Sequence, residues 1–141
     1  TRTNPVPFGA AAKVGDWTVK VTHYVPDATQ LVLDTNEFND PPEAGQQYVL
    51  VTVEATYSGD QSGTFWVDVT YKFLGSGGNT FDSGTTFAVA PKPIIDAGEA
   101  FPGASVSGDL LFAVDSDQVT GGMLILQASF SFDEPVFFAL Q

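Results

Sequence analysis

Cysteine is absent from this 141-residue chain, and His23 is its only histidine. Without cysteine the chain has no disulfide, no thiolate nucleophile and no cysteine-ligated zinc or iron-sulfur centre. One histidine offers little to a transition-metal site. A serine-histidine-aspartate triad would also need a nucleophile on a strained turn, and the sequence contains no G-x-S-x-G motif. We therefore predict no catalytic residue, no metal site and no cofactor.

Basic residues are scarce as well. The chain has 5 Lys and Arg against 17 Asp and Glu, which gives a formal net charge of -12. This charge repels phosphate backbones and anionic lipid headgroups, so we expect no nucleic-acid partner. No apolar run reaches the ~18 residues that span a bilayer, so we expect no direct membrane insertion by this chain. The first residues carry no signal-peptide pattern, and the presence of a signal peptide or lipobox upstream stays open.

What the sequence has in quantity is alternation of apolar and polar residues, which is typical of strands with one buried face. The strand-like stretches are "WTVKV" (17–21), "VLVTVEATY" (49–57), "FWVDVTYKF" (65–73), "TTFAVA" (85–90), "SVSGDLLFAV" (105–114), "MLILQASFSF" (123–132) and "PVFFAL" (135–140). The glycine-rich "FLGSGGNTF" predicts a hairpin. Gly108 within its strand indicates a bulge or a close backbone approach. His23 follows the apolar positions of its strand, which predicts a partly buried histidine.

The stretches are short, and loops of Gly, Pro, Asn and Asp separate them, while no window has a helical period. This pattern predicts an all-β protein, an antiparallel β-sandwich of about seven to nine strands. The length suits one domain. We expect residues 1–8 to form an extended N-terminal lead-in and residues 9–141 to form the single sandwich domain.

Several stretches resemble one known family. "GEAFPGASVSGDLLFAV" (98–114) resembles a recurrent motif of an immunoglobulin-like family of unknown function, which is labelled after the telomeric repeat-binding factor. "NPVPFG", "DWTVKV", "PPEAGQQYVLVTVEATYSG" and "VFFAL" are similar to its other landmarks, in the same order. The architecture is also similar to that of the mycobacterial immunoprotective extracellular protein.

The family occurs in secreted proteins and lipoproteins, mostly of Gram-positive bacteria. The resemblance thus implies an immunoglobulin-like sandwich in an extracellular or cell-surface location, in many members lipid-anchored through an upstream cysteine of the precursor. It implies no active site.

Residues 34–40, "DTNEFND", concentrate the hard oxygen donors that calcium prefers. An EF-hand loop needs a donor at its fifth position and glycine at its sixth, where this segment has Phe38 and Asn39. Two prolines follow, and Asn and Asp are common in turns. We interpret the segment as a connecting loop, with a non-EF calcium site as the alternative.

Trp66 lies on the polar face of its predicted strand, together with Asp68, Thr70 and Lys72, where an aromatic residue is less expected. An exposed tryptophan is typical of interface centres, and Tyr48 and Leu50 lie on the polar parity of the preceding long strand. If the two strands pair, Trp66, Tyr48 and Leu50 would form one partner-contact surface. The alternative for Trp66 is burial beneath a loop or sheet edge.

These observations favour a non-enzymatic extracytoplasmic binding or spacer module with a protein or glycan partner. The alternatives are a calcium-dependent adhesion module and a glycoside hydrolase that acts through two carboxylates. Among 17 acidic residues some close pair arises by chance, and no pair is marked as catalytic.

Overall fold

Two four-stranded antiparallel sheets make up the fold in the computed structural model, which describes residues 1–83 and 88–141. Sheet I contains, in spatial order, β1 (Ala11–Val14), β2 (Trp17–Val25), β3 (Gln46–Tyr57) and β6 (Ser105–Asp115). Sheet II contains β5 (Thr80–Asp82), β4 (Val69–Leu74), β7 (Met123–Ala128) and β8 (Val136–Ala139). The prediction of an all-β, immunoglobulin-like antiparallel sandwich is confirmed.

The core between the sheets follows the alternation in the sequence. Sheet I contributes Trp17, Val19, Val21, Val49, Val51, Val53, Ala55, Leu110, Phe112 and Val114, and sheet II contributes Phe73, Leu124, Leu126 and Phe138. Phe112 lies at the centre of an aromatic group, with its ring centroid 6.4 Å from that of Tyr71 and 6.1 Å from that of Phe73. The residues of β2, β3 and β6 that the alternation predicted to face the core do face it.

The predicted hairpin is also present. Leu74 of β4 pairs with Thr80 of β5, and the Gly75 amide donates to the Asn79 carbonyl over 2.8 Å. Gly78 has φ +94°, a left-handed conformation that favours glycine, so the turn uses one of the glycines of "GSGG".

Two short α-helices were not expected from the sequence. The helix α1 (Thr29–Thr35) covers the outer face of sheet I, where Val32 packs in a second cluster with Ala28, Tyr48, Leu50, Ala90, Leu111 and Ala113. The helix α2 is a single turn, Phe65–Asp68, in which only Phe65 is buried. Neither helix is long enough to produce a 3.6-residue period in the sequence, and tertiary packing stabilises such short elements.

The predicted strand over residues 65–73 is therefore wrong in its first half. The amides of Val67 and Asp68 both donate to the Thr64 carbonyl, so the chain turns there before β4 begins at Val69.

A register shift in β2 corrects the expectation for His23. The pairing with β3 slips between Val21 and His23, so that Tyr24 pairs with the core residue Val51 and packs against the core. His23 is exposed instead of partly buried, and its Nδ1 lies 3.3 Å from the Thr22 hydroxyl. An extra residue in one strand exchanges the two faces beyond it, which the apolar pattern alone did not indicate.

Half of the predicted strand over residues 85–90 lies outside the described residues, because residues 84–87 are not described, and residues 88–90 belong to no strand. Val6 of the predicted lead-in bonds to the edge of β8, donating its amide to Phe137 and accepting from the Ala139 amide. The predicted boundary between the lead-in (residues 1–8) and the sandwich domain (residues 9–141) stays a prediction.

Gly108 marks a close approach of another backbone segment and not a bulge, because the β3–β6 ladder continues through its pairing with Val53 without a register shift. A Cβ atom at this position would lie 2.6 Å from the Cα atom of Ile94, in the segment that forms a parallel bridge to β6 between Pro93 and Asp109. The neighbouring Asp109 holds that segment: its amide donates to the Lys92 carbonyl over 2.7 Å, and its carboxylate accepts from the Lys92 amide over 2.9 Å.

We predict that Gly108→Ala lowers the free energy of unfolding by about 1 to 3 kcal/mol, since the added methyl group displaces backbone. The measurement is the urea unfolding midpoint. Gly98→Ala is the matched control, because a Cβ atom there meets nothing within 4 Å, and its stability should be unchanged or slightly raised. Equal stability of the two variants would show that the segment at Ile94 moves aside without cost.

Candidate functional site

The three residues predicted to form a contact surface do not lie together. Tyr48 and Leu50 are only 4% exposed each and pack beneath α1 on sheet I. The Tyr48 hydroxyl donates to the Asp40 carbonyl over 2.7 Å. Trp66 is 42% exposed and lies in α2, which leads into sheet II. The expectation of one shared surface is wrong because β3 and β4 belong to different sheets, while partner contact by Trp66 stays a prediction.

Within residues 34–40, the side chains that bond to backbone groups include those of Thr35, Asn36 and Asn39. Asn36 accepts the Phe38 amide over 2.9 Å. Asn39 donates to the carbonyls of Val32 and Val89 and accepts the Val89 amide. Over the described ranges 1–83 and 88–141, no group of three or more acidic or histidine side chains is arranged to hold a metal ion. Asn39 therefore connects α1 to the segment that follows the undescribed residues, whereas Asn36 closes a local turn.

A different set of residues gathers at one end of the sandwich. We call it the loop end and define it as residues 15–16, 58–68, 97–104 and 129–135. These segments meet because β2 starts where β3 ends, β6 starts beside the end of β3, and β4 starts beside the end of β7.

Hydrogen bonds join the four segments. The Ser58 amide and hydroxyl both donate to the Asp16 carbonyl, and Gly63 and Ala100 exchange two backbone bonds of 2.9 and 2.8 Å. The Ser129 amide donates to the Asp68 carbonyl over 2.8 Å. The loop end is thus a bonded structure and not a set of independent loops.

Trp17 links the loop end to the core. Its indole is buried against the rings of Tyr57 and Phe65, and its Nε1 donates to Asp68 Oδ2 over 2.9 Å. A buried indole N–H generally requires an acceptor, and here the acceptor is the last residue of α2. The bond fixes the position of α2 and of the Asp68 carboxylate.

A cleft of about 360 Å³ opens at the loop end. Its lining includes Asp16, Trp17, Tyr57, Asp68, Phe130 and Asp133. Burial raises the pKa of the Tyr57 phenol, and the negative charges of Asp16, Asp68 and Asp60 raise it further. The cleft therefore has a negative potential, which favours cations and disfavours a phenolate.

The four segments of the loop end contain no Lys, Arg or His. Their acidic residues are Asp16, Asp60, Asp68, Glu99, Asp133 and Glu134. Because these segments contain acidic residues and no basic ones, their charge is negative, and it can attract a positively charged partner.

Large apolar side chains are exposed at the same end. Phe130 and Phe132 have relative exposures of 102% and 107%, which means that both rings stand entirely in solvent. Trp66, Val67 and Phe101 are exposed as well. Phe130 has φ 55°, the only positive φ of a non-glycine residue in the described ranges. Such strain in a bulky residue persists only where the surrounding structure holds it, and it is concentrated at functional sites.

The sequence did not identify Phe130 and Phe132 as site residues. Their alternation with Ser129 and Ser131 continued that of β7, so both were predicted on the buried face of a strand. The structure ends β7 at Ala128 and places both rings in solvent. The available signal was "DEP", residues 133–135, whose acids and proline are typical of a loop.

Comparisons with known proteins agree with this fold. No family model matches the chain, and no curated protein matches it. The chain is similar to the structure of an uncharacterised β-sandwich protein from Clostridium difficile, with 11% identity and a TM-score of 0.53 over 98% of this chain and 95% of that one. It is similar to a conserved hypothetical protein from Bacillus anthracis, with 11% identity and a TM-score of 0.51 over 93% and 94% of the two chains.

A candidate lipoprotein from Bacillus subtilis is also similar, with 15% identity and a TM-score of 0.55 over 91% of this chain and 37% of that chain. At these identities the likeness concerns the fold alone. Together the comparisons define the class as a β-sandwich shared with uncharacterised bacterial proteins.

Proposed function

We propose that this protein is a non-enzymatic extracytoplasmic binding module and that the loop end is its contact surface. The observation that carries the proposal is the pair Phe130 and Phe132, two fully exposed rings on a segment that hydrogen bonds anchor to the sandwich. Binding, and not spacing alone, is the function that this surface supports.

Exposed rings favour association because contact with a partner removes their apolar surface from water. This is worth about 25 cal/mol for each Å² of apolar area. Aromatic residues at the centre of a contact typically contribute most of the binding energy. Anchoring of the loop reduces the conformational entropy lost on binding. Trp66, the partner-contact residue predicted from the sequence, belongs to the same end.

The extracytoplasmic location is part of the proposal. Support comes from the resemblance to the secreted and lipoprotein family of unknown function, and from the fold likeness to a candidate lipoprotein. In the ranges that the structure describes, no helix has the length and apolar character needed to cross a bilayer.

The absence of enzymatic activity is proposed from the chemistry of the loop end. Its cleft holds carboxylates and a phenol but no histidine or lysine, and the Asp68 carboxylate accepts the bond from the Trp17 indole. His23 lies on β2, opposite Thr52 in the sheet, and not at the loop end. The cleft therefore lacks the histidine or lysine base of many hydrolytic sites, and its carboxylates alone would suit a hydrolase of the paired-carboxylate type, which is the enzymatic alternative.

The experiment expresses the gene with its native upstream sequence in the source organism and measures protease accessibility on intact cells. We expect the domain to be accessible from outside. The double variant Phe130→Ala with Phe132→Ala should lose retention of its partner on purified envelopes, while Phe38→Ala should keep it. Phe38 is the matched control because it is 83% exposed and lies between β2 and β3, at the opposite end. Full protection of the domain from protease on intact cells would overturn the extracytoplasmic location. Equal retention of the partner by both variants would overturn the assignment of the loop end as the contact surface.

A further inference from the structure

We propose that the partner of the loop end is a basic protein segment, in which Lys or Arg side chains alternate with apolar ones. This inference rests on the proposed function and adds the chemistry of the partner. It follows from the combination of exposed rings and charge of one sign at a single surface.

Charge complementarity selects the partner. The four segments of the loop end contain acids but no basic residue, and the whole chain carries a net charge of -12. An anionic polymer would be repelled, whereas a cationic segment would be attracted over a distance of about 10 Å at moderate salt. A negative patch of this kind also raises the rate of encounter with a positive one.

The cleft provides places for the charges. Asp16 and Asp133 line it and are both exposed, so neither carboxylate has lost its hydration in the free protein. Asp68 is half-buried and holds the Trp17 indole through Oδ2. A lysine or arginine of the partner would bring the positive charge that these carboxylates lack within the loop end.

The rings suit the same kind of side chain. A cation over the face of Phe130 gains a cation–π attraction, and the methylene stem of lysine or arginine covers apolar surface while its charge reaches the carboxylates. Apolar residues of the partner would cover Phe132 and Phe101, which are exposed within the loop end. A neutral glycan could stack on the rings but would bring no positive charge to the carboxylates of the loop end.

The test uses fluorescein-labelled peptides and anisotropy. One peptide alternates lysine with leucine and glycine, a second replaces lysine by glutamate, and a third replaces leucine by serine. We expect the lysine–leucine peptide to bind best and to weaken at least tenfold between about 50 and 500 mM NaCl. The glutamate peptide should not bind, and the lysine–serine peptide should bind more weakly than the lysine–leucine peptide.

Two pairs of variants locate the binding. Asp16→Asn with Asp133→Asn, and separately Phe130→Ala with Phe132→Ala, should each lower the affinity by about tenfold. Glu37→Gln with Asp117→Asn changes the net charge by the same amount at exposed positions of the opposite end, and should change the affinity less than about twofold. All variants are first checked for unchanged melting temperature.

Equal loss in both charge pairs would mean that only net charge matters, and it would overturn the inference. Absence of binding by the lysine–leucine peptide would overturn it too, as would displacement of the native partner from envelopes by a neutral oligosaccharide. In the last two cases the proposed function stands if the Phe130 and Phe132 double variant still loses its partner. If that double variant keeps its partner, the proposed function fails as well.

Discussion

Replacement of Phe112 by alanine is expected to lower the free energy of unfolding by about 3 to 5 kcal/mol. The ring is fully buried between the sheets, and its centroid lies within 6.4 Å of those of Tyr71 and Phe73. Alanine would remove both the buried apolar surface and the contacts, and β6 cannot collapse into the space because it is paired along its length with β3. Urea-induced unfolding measures the difference.

The matched control for this variant is Phe132→Ala, which removes the same side chain from full exposure. Its stability should stay within about 0.5 kcal/mol of the original protein. A loss below about 1 kcal/mol for Phe112→Ala would mean that the two sheets do not meet at this residue.

We expect Trp17→Ala to cost about 3 to 5 kcal/mol and Trp17→Phe to cost about 1.5 to 3 kcal/mol. The alanine variant loses the contacts of the indole with Tyr57 and Phe65, whereas the phenylalanine variant loses mainly the N–H bond to Asp68. The second loss is large for one bond because the acceptor is a charged carboxylate.

Both Trp17 variants should also loosen the loop end, since the indole fixes α2. Hydrogen exchange of the Ser129 amide, which donates to the Asp68 carbonyl, reports this directly. Faster exchange at Ser129 in Trp17→Phe, without faster exchange in the middle of β3, is the expected pattern. A phenylalanine variant as stable as the original protein would contradict a structural role for the bond.

The sandwich could be predicted from the sequence because its core residues follow one rule. Val19, Val51 and Phe112 each lie in a run of strand residues that alternate between the core and the outer face of the sheet, and burial of one face fixes the register of such runs. Gly108 was informative for a related reason, because glycine within a strand is costly unless another backbone approaches. Ile94 provides that approach.

Departures from the sequence prediction occur where a turn, a register shift or the end of strand pairing interrupts the alternation. The turn at Thr64 interrupts the apolar pattern of residues 65–73, and the register shift near Thr22 moves His23 to the surface. Beyond Ala128 the serine and phenylalanine alternation continues without a pairing strand, because β8 begins only at Val136. Periodicity reports which residues could share a face but not whether a neighbouring strand is present.

The candidate site could not be predicted from the sequence for a different reason. Its acids come from segments that are distant in the sequence, such as Asp16, Asp68 and Asp133, and each resembles an ordinary solvated residue on its own. Only long-range contacts, such as the bond from Trp17 to Asp68 and that from Ser129 to Asp68, bring them to one cleft. A short sequence motif does not encode such an arrangement.

The central claim is that the loop end is the contact surface, and site-specific photo-crosslinking on intact cells tests it most directly. A photoreactive phenylalanine analogue replaces Phe132 in one preparation and Phe38 in another, so that both probes stand in solvent at opposite ends of the same fold. We predict a discrete crosslinked product from position 132 that is absent at position 38 and is competed by unlabelled protein. No product at position 132, or products of equal yield at both positions, would contradict the claim.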